Sequence, residues 1–179
     1  YNGGVILYKR GIKMSLNIGN PIPTVDLPVR VDGEFANLNT GEIAQGKRIV
    51  IFALPGAFTP TCSTFQLPGF EEMYSQFQEK GIDEIYCLSV NDTFVMNAWF
   101  TAQGIEKVKA LPDGSGTFTK ALGTAVQKDN LGFGLRSWRY AIVVNDGVIE
   151  SVFSEEGFRD DADTDPYEVS SPENVLSNL

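Results

Sequence analysis

A chain of 179 residues, 42% of them hydrophobic, can bury one substantial core, and it is too short for two independent domains to be expected. Its 14 basic and 23 acidic side chains leave a formal charge of −9 with no dense basic run to track a phosphate backbone, so no nucleic acid partner is expected. Histidine is absent, which excludes Cys-His and Ser-His-Asp catalysis, histidine metal sites and a zinc site of the usual ligands; neither metal nor other cofactor is expected.

Residues 1–13 precede Met14 without helical or strand periodicity and read as an extension or cloning remnant ahead of one domain over residues 14–179. No stretch reaches the roughly 20 apolar residues a bilayer needs, and the N-terminus lacks signal-peptide regions, so a cytoplasmic protein with no membrane partner is expected. Residues 25–38, broken by Asp32-Gly33, predict a β-hairpin. Residues 48–54 (Arg-Ile-Val-Ile-Phe-Ala-Leu) form an unbroken apolar run, the pattern of a central strand covered on both faces. After Pro55-Gly56, the spacing of Phe70, Met73, Tyr74 and Phe77 predicts a helix ended by Gly81. Residues 85–90 predict a second buried strand. Asn91-Asp92-Thr93 is a capping segment for a helix with Val95, Ala98, Trp99 and Ala102 inward.

A short strand follows near residues 108–111, and residues 138–144 and 148–153 flank the hairpin signal Asn145-Asp146-Gly147. Residues 155–165 are acidic and punctuated, and a last helix covers residues 172–179 with Pro172 in its first turn. Strands alternating with helices and closing on a hairpin predict an α/β chain: a thioredoxin-like fold with a mixed central β-sheet flanked by helices and an N-terminal β-hairpin.

The chemistry-bearing candidates are Cys62 and Cys87. Two cysteines are too few for a disulfide scaffold, so free thiols are expected. Cys62 falls where a strand has stopped and a helix begins. Helix N-termini and a nearby arginine are the environments that generate a reactive thiolate, and without histidine an arginine has to supply the charge. From spacing alone a small buried hydrophobe is an equally good reading of Cys62. The flanking run Pro-Gly-Ala-Phe-Thr-Pro-Thr-Cys favours a functional loop, being polar and rich in turn residues. Cys87 lies within the strand run Ile-Tyr-Cys-Leu-Ser-Val and reads as a packed structural thiol. Trp99, Trp138 and Phe133 read as core or dimer contact.

The segment Pro55-Gly56-Ala57-Phe58-Thr59-Pro60-Thr61-Cys62-Ser63 resembles the peroxidatic loop of type-5 peroxiredoxins. The likeness continues through Leu67-Pro68-Gly69-Phe70, residues 87–92, Leu111-Pro112-Asp113 and residues 134–140, in the family's order, and covers about residues 18–179. It implies a thiol peroxidase acting on hydrogen peroxide and alkyl hydroperoxides, in which Cys62 attacks the peroxide, Thr59 hydrogen-bonds it, Pro55 shields the sulfur and Arg139 supplies positive charge. Arg136 reads as a surface ion pair that could assist. Relatives that resolve their own sulfenic acid carry a further cysteine toward the C-terminus. Nothing after Cys87 is cysteine, so the resemblance implies the one-cysteine route, as in the peroxiredoxin part of peroxiredoxin–glutaredoxin hybrids. Regeneration by glutathione and glutaredoxin is favoured over thioredoxin, and a homodimer is implied. Gln66 stands where the family often has histidine; it keeps hydrogen-bonding capacity and cannot carry charge.

Two other functions compete. A disulfide reductase on the same fold needs a second cysteine three residues after the first, and that position is Phe65. An inert interaction module on this scaffold is separated from a peroxidase by peroxide consumption with a supplied thiol.

Overall fold

The computed structural model describes residues 16–179, so the expected extension over residues 1–13 lies outside the described residues. Strands β1 (Asp26–Val31) and β2 (Glu34–Asn39) pair antiparallel around Asp32 and Gly33. Their φ values of 51° and 80° are what a tight two-residue hairpin turn needs. Asn39 then caps α1 (Thr40–Ala44), accepting the N–H groups of Gly41 and Glu42.

The centre of the molecule is a five-stranded sheet. Strands β3 (Arg48–Ala53), β4 (Glu84–Ser89) and β5 (Lys109–Pro112) run parallel. Between β3 and β4 lie α2 (Leu67–Glu72) and α3 (Tyr74–Glu79), and between β4 and β5 lies α4 (Thr93–Gln103), capped by Asp92. After β5 come α5 (Thr117–Ala121) and the small antiparallel pair β6 (Ala125–Gln127) and β7 (Leu135–Ser137). Strands β8 (Tyr140–Asn145) and β9 (Val148–Ser154) then return antiparallel to give the order β5-β4-β3-β8-β9, and α6 (Pro172–Ser177) closes the chain. A mixed sheet flanked by helices, with an N-terminal hairpin, is the expected arrangement; α1, α5 and the β6–β7 pair were not anticipated. No helix among the described residues is long and apolar enough to cross a membrane.

Strand alternation divides the core between the two faces of the sheet. Val50, Phe52, Cys87 and Val143 face Phe70, Phe77 and Trp99, while Ile49, Ile51, Leu88 and Ile142 face Leu27 and Phe118. The inward residues of α4 are Thr93, Met96 and Trp99; Ala98 and Ala102, expected on that stripe, are exposed. The bulky Trp99 orients the helix, and the residue one turn before it, Met96, is the one carried inward. The register that pairs Ala53 with Tyr140 decides the site, because the loop leaving β3 and the residue just before β8 meet at one edge.

Phe70 is fully buried, stacked on Phe52 at 4.1 Å between ring centroids and touching Phe77 at 5.6 Å. Phe70→Ala should lower the unfolding free energy by about 3–5 kcal/mol in denaturant titration. A loss under about 1 kcal/mol would mean that neighbouring rings collapse into the space.

Candidate active site

Between β3 and α2 the chain is held in a conformation that its own residues disfavour. Phe58 sits at φ 64°, left-handed backbone that a bulky L-residue adopts at a cost of about 1–2 kcal/mol. Tertiary contacts hold it there. The Ala57 N–H donates to Asn91 Oδ1 at 3.0 Å, and the same oxygen accepts from Ser89 Oγ at 2.5 Å, tying the loop to the end of β4. Arg136 Nη1 donates to the Pro55 carbonyl at 3.1 Å and its Nε to the Phe133 carbonyl at 3.3 Å, with the guanidinium over the Phe133 ring. Arg136 is therefore a brace for the loop rather than the expected surface ion pair, and it forms no ion pair among the described residues. Its approach explains Gly56, where a Cβ would stand 2.5 Å from Arg136 Nη1. Thr59 Oγ1 donates to the Gly56 carbonyl at 2.7 Å, so its proton is committed and its lone pairs remain.

Helical backbone starts at Pro60, whose fixed φ suits a first turn, and Cys62 follows two residues on, fully buried. The turn at Cys62–Gln66 is wide: the Leu67 N–H reaches back five residues to the Cys62 carbonyl. Trp99 Nε1 donates to Ser63 Oγ at 2.9 Å and locks this turn onto α4.

Arg139, 2% exposed, points its guanidinium at the sulfur: Nη1 donates to Cys62 Sγ at 3.4 Å and to Gln66 Oε1, and Nη2 to Asp165 Oδ1 at 2.6 Å. Burial works against this charge, but Cys62 and Asp165 outweigh it and hold the Arg139 pKa above its ordinary value. The ring of Tyr167 lies 5.9 Å from the guanidinium and stacks on Phe65. Burial, with Glu173 next, pushes the Tyr167 phenol up to about 12, so a neutral ring covers the cation. Behind it the buried Glu155 carboxylate accepts the N–H groups of Glu168, Val169 and Ser170 and the Ser170 hydroxyl, anchoring the strap that carries Asp165 and Tyr167.

All four expected residues, Pro55, Thr59, Cys62 and Arg139, thus converge, and a cavity of about 500 Å³ opens beside Pro55, Thr59, Pro60, Phe133, Arg139 and Asp165. Phe133 lines this cavity, while Trp99 and Trp138 are core. Sequence reasoning missed Asn91, Asp165 and the use made of Gln66. The available signal was the acidic stretch 155–165, because a buried arginine requires a carboxylate from somewhere. Cys87 is fully buried, paired with Phe52 on β3 and Ala110 on β5, as a packed thiol should be. Both cysteines are free.

The Redoxin family matches residues 17–169. A curated "Peroxiredoxin" of Rhizobium etli is 64% identical over 140 residues, 78% of each chain. A "Hybrid peroxiredoxin hyPrx5" of Haemophilus influenzae is 42% identical over 93% of this chain and 67% of that one. Among solved structures, the Plasmodium falciparum antioxidant protein, described as a 1-Cys peroxiredoxin, superposes with a TM-score of 0.87 at 36% identity, covering 92% of this chain and all of that one.

Burial first, and then the nearby Cys62, pushes the Cys87 thiol well above its ordinary pKa. A thiol is neutral below its pKa, so the upward shift extends the inert range. Between about pH 7 and 9 an alkylating reagent should spare Cys87 in the native protein, as peptide mass analysis would record. Labelling of Cys87 without unfolding would show that β4 opens.

Proposed function

Because the chain belongs to the Redoxin family as a peroxiredoxin of the type-5 kind, and is therefore a thiol peroxidase, we propose that Cys62 is its peroxide-reducing sulfur and that an external thiol regenerates it. The hydrogen bond to Cys62 Sγ from the buried Arg139, which itself lines the cavity, carries this reading.

The Cys62 thiolate attacks one peroxide oxygen. An S–O bond forms, the O–O bond breaks, and its electron pair leaves with the second oxygen, which takes a proton to become water or an alcohol. The cysteine is oxidised to sulfenic acid as the peroxide is reduced. Arg139 faces both the thiolate and the oxygen on which charge develops, and its planar fork lets one side chain serve both. Thr59, its proton committed to the loop, accepts from the peroxide O–H and aligns it for in-line attack. Pro55 closes the sulfur off from water. Hydrogen peroxide and alkyl hydroperoxides are both substrates in this reading.

A reducing thiol then condenses with the sulfenic acid, releasing water and leaving a mixed disulfide that a second thiol cleaves to restore Cys62. Glutathione with glutaredoxin is the favoured reductant, thioredoxin the alternative. The one-cysteine route is supported by the lack of cysteine over residues 88–179. Phe58, Phe65 and Leu131, each more than half exposed beside the site, support a homodimer formed through this face. We place the enzyme in the cytoplasm, as a single domain from residue 14 onward.

Cys62→Ser should abolish peroxide consumption with the fold intact, while Cys87→Ser retains it. Arg139→Ala should slow the peroxide step by about 10²–10³-fold in stopped flow, with Arg139→Lys recovering only part. Persistence of turnover in Cys62→Ser would overturn the assignment. After peroxide without reductant, intact-mass analysis should show Cys62 as sulfenic acid and then its over-oxidised forms, or a glutathione adduct when that thiol is added. A dominant Cys62–Cys87 disulfide would refute the one-cysteine route.

A further inference from the structure

Four charged side chains line the cavity, and three of them are paired: Arg139 with Asp165, and Asp163 with Arg159. The fourth, Lys128, has neither an ion pair nor a hydrogen bond to its ammonium among the described residues, although only 3% of the residue is exposed. Its ammonium is not among the sealed unpartnered atoms, so the charge opens onto the cavity that the residue lines, where an anion can reach it. Burial pulls the Lys128 pKa below its ordinary value; Asp165 opposes that, and Arg139 adds to it.

The position is built rather than accidental. The Lys128 N–H donates to the Gly134 carbonyl at 2.8 Å, and its own carbonyl accepts from Leu131 and Phe133 at 3.1 and 3.0 Å. The opposite wall is tied on by the Asp161 N–H to the Gln127 carbonyl at 2.8 Å and by Asn130 Nδ2 to the Ala162 carbonyl at 3.2 Å. The ammonium lies 5.7 Å from the centre of the Trp138 ring, which shields one side of it. Pro60, Leu131 and Phe133 supply apolar lining to the same cavity, which Arg139, the hydrogen-bond donor to Cys62, also lines.

We propose that Lys128 is a specificity-determining residue, whose ammonium receives a carboxylate carried by the molecule that reacts at Cys62. The occupant is an organic anion whose apolar body follows Leu131 and Phe133 while its reactive end meets the sulfur. Two kinds of molecule present this chemistry: a carboxylate-bearing hydroperoxide in the oxidative step and a carboxylate-bearing thiol in the reductive one. The inference rests on the reading of Cys62 as the reacting sulfur.

Single-turnover kinetics test it in two arms, with wild type, K128Q and K128R. In the first arm Cys62 is oxidised by an aliphatic hydroperoxide bearing a carboxylate or by the methyl ester of the same compound. In the second arm the sulfenic acid is reduced by glutathione or by its diethyl ester. The acid should outrun its ester on the wild type in at least one arm, and that arm identifies the source. K128Q should lower the acid-to-ester ratio there by about tenfold and K128R should keep part of it. Equal rates for acid and ester in both arms on the wild type would overturn the proposal without any variant having to fold. An unchanged ratio in K128Q would overturn it as well, whatever happens to the absolute rates. Failure of the wild type to react with hydrogen peroxide at all would instead sink the assignment of Cys62.

Discussion

A guanidinium shut away from water must find its partners among protein atoms, and most of the site is arranged around that demand on the two Nη groups of Arg139, while its buried Nε is left without a partner among the described residues. Its Nη1 is shared between Cys62 Sγ and Gln66 Oε1, its Nη2 goes to the Asp165 carboxylate, and the Tyr167 ring lies against it. Gln66 orients the arginine as a neutral amide and adds no titrating charge of its own to the Cys62 and Asp165 contacts. Asp165 is half exposed, so it balances the charge from the solvent side while the sulfur does so from within. The same burial that makes the cation costly makes its field on the sulfur strong, because little water intervenes to screen it.

The loop before Cys62 shows a second constraint, local strain held by distant contacts. Phe58 in left-handed backbone and the wide turn after Cys62 are both unfavourable in isolation. Asn91 from the end of β4, Arg136 from β7 and Trp99 from α4 fasten that stretch at three points. Stability invested in these fastenings is what allows Thr59 to line the cavity while Cys62 lies against Arg139 just behind it. Glu155 plays a corresponding part on the far side, where a single carboxylate organises the backbone that brings Asp165 and Tyr167 over the arginine. Lys128 stands apart from this pattern, for it lines the same cavity and its ammonium has no ion pair or hydrogen bond among the described residues.

Much of the fold was legible from local pattern. The apolar run at residues 48–54 and the buried-type strand pattern at residues 85–90 became β3 and β4, and Asp32-Gly33 and Asp146-Gly147 became the hairpin turns whose positive φ values those residues tolerate. Cys62 could be placed at a strand-to-helix junction for the same reason: turn residues and periodicity act over a few positions along the chain. The short elements α1 and α5 escaped because a single helical turn carries too little periodicity to be read.

The composition of the site was decided by tertiary structure. Arg139 lies 77 positions from Cys62, 73 from Gln66 and 26 from Asp165, and no local signal links residues so far apart. The register that sets Ala53 opposite Tyr140 brings the first two together, and the strap held by Glu155 brings the third. By itself, the sequence determined which thiol sits in a functional loop, since that follows from neighbours along the chain. Only the folded chain decided which carboxylate neutralises the arginine, that Arg136 braces a loop instead of pairing at the surface, and that Lys128 lines the cavity without an ion pair among the described residues. Satisfying a buried charge depends on what the topology brings within a few ångströms, not on what is adjacent in the chain.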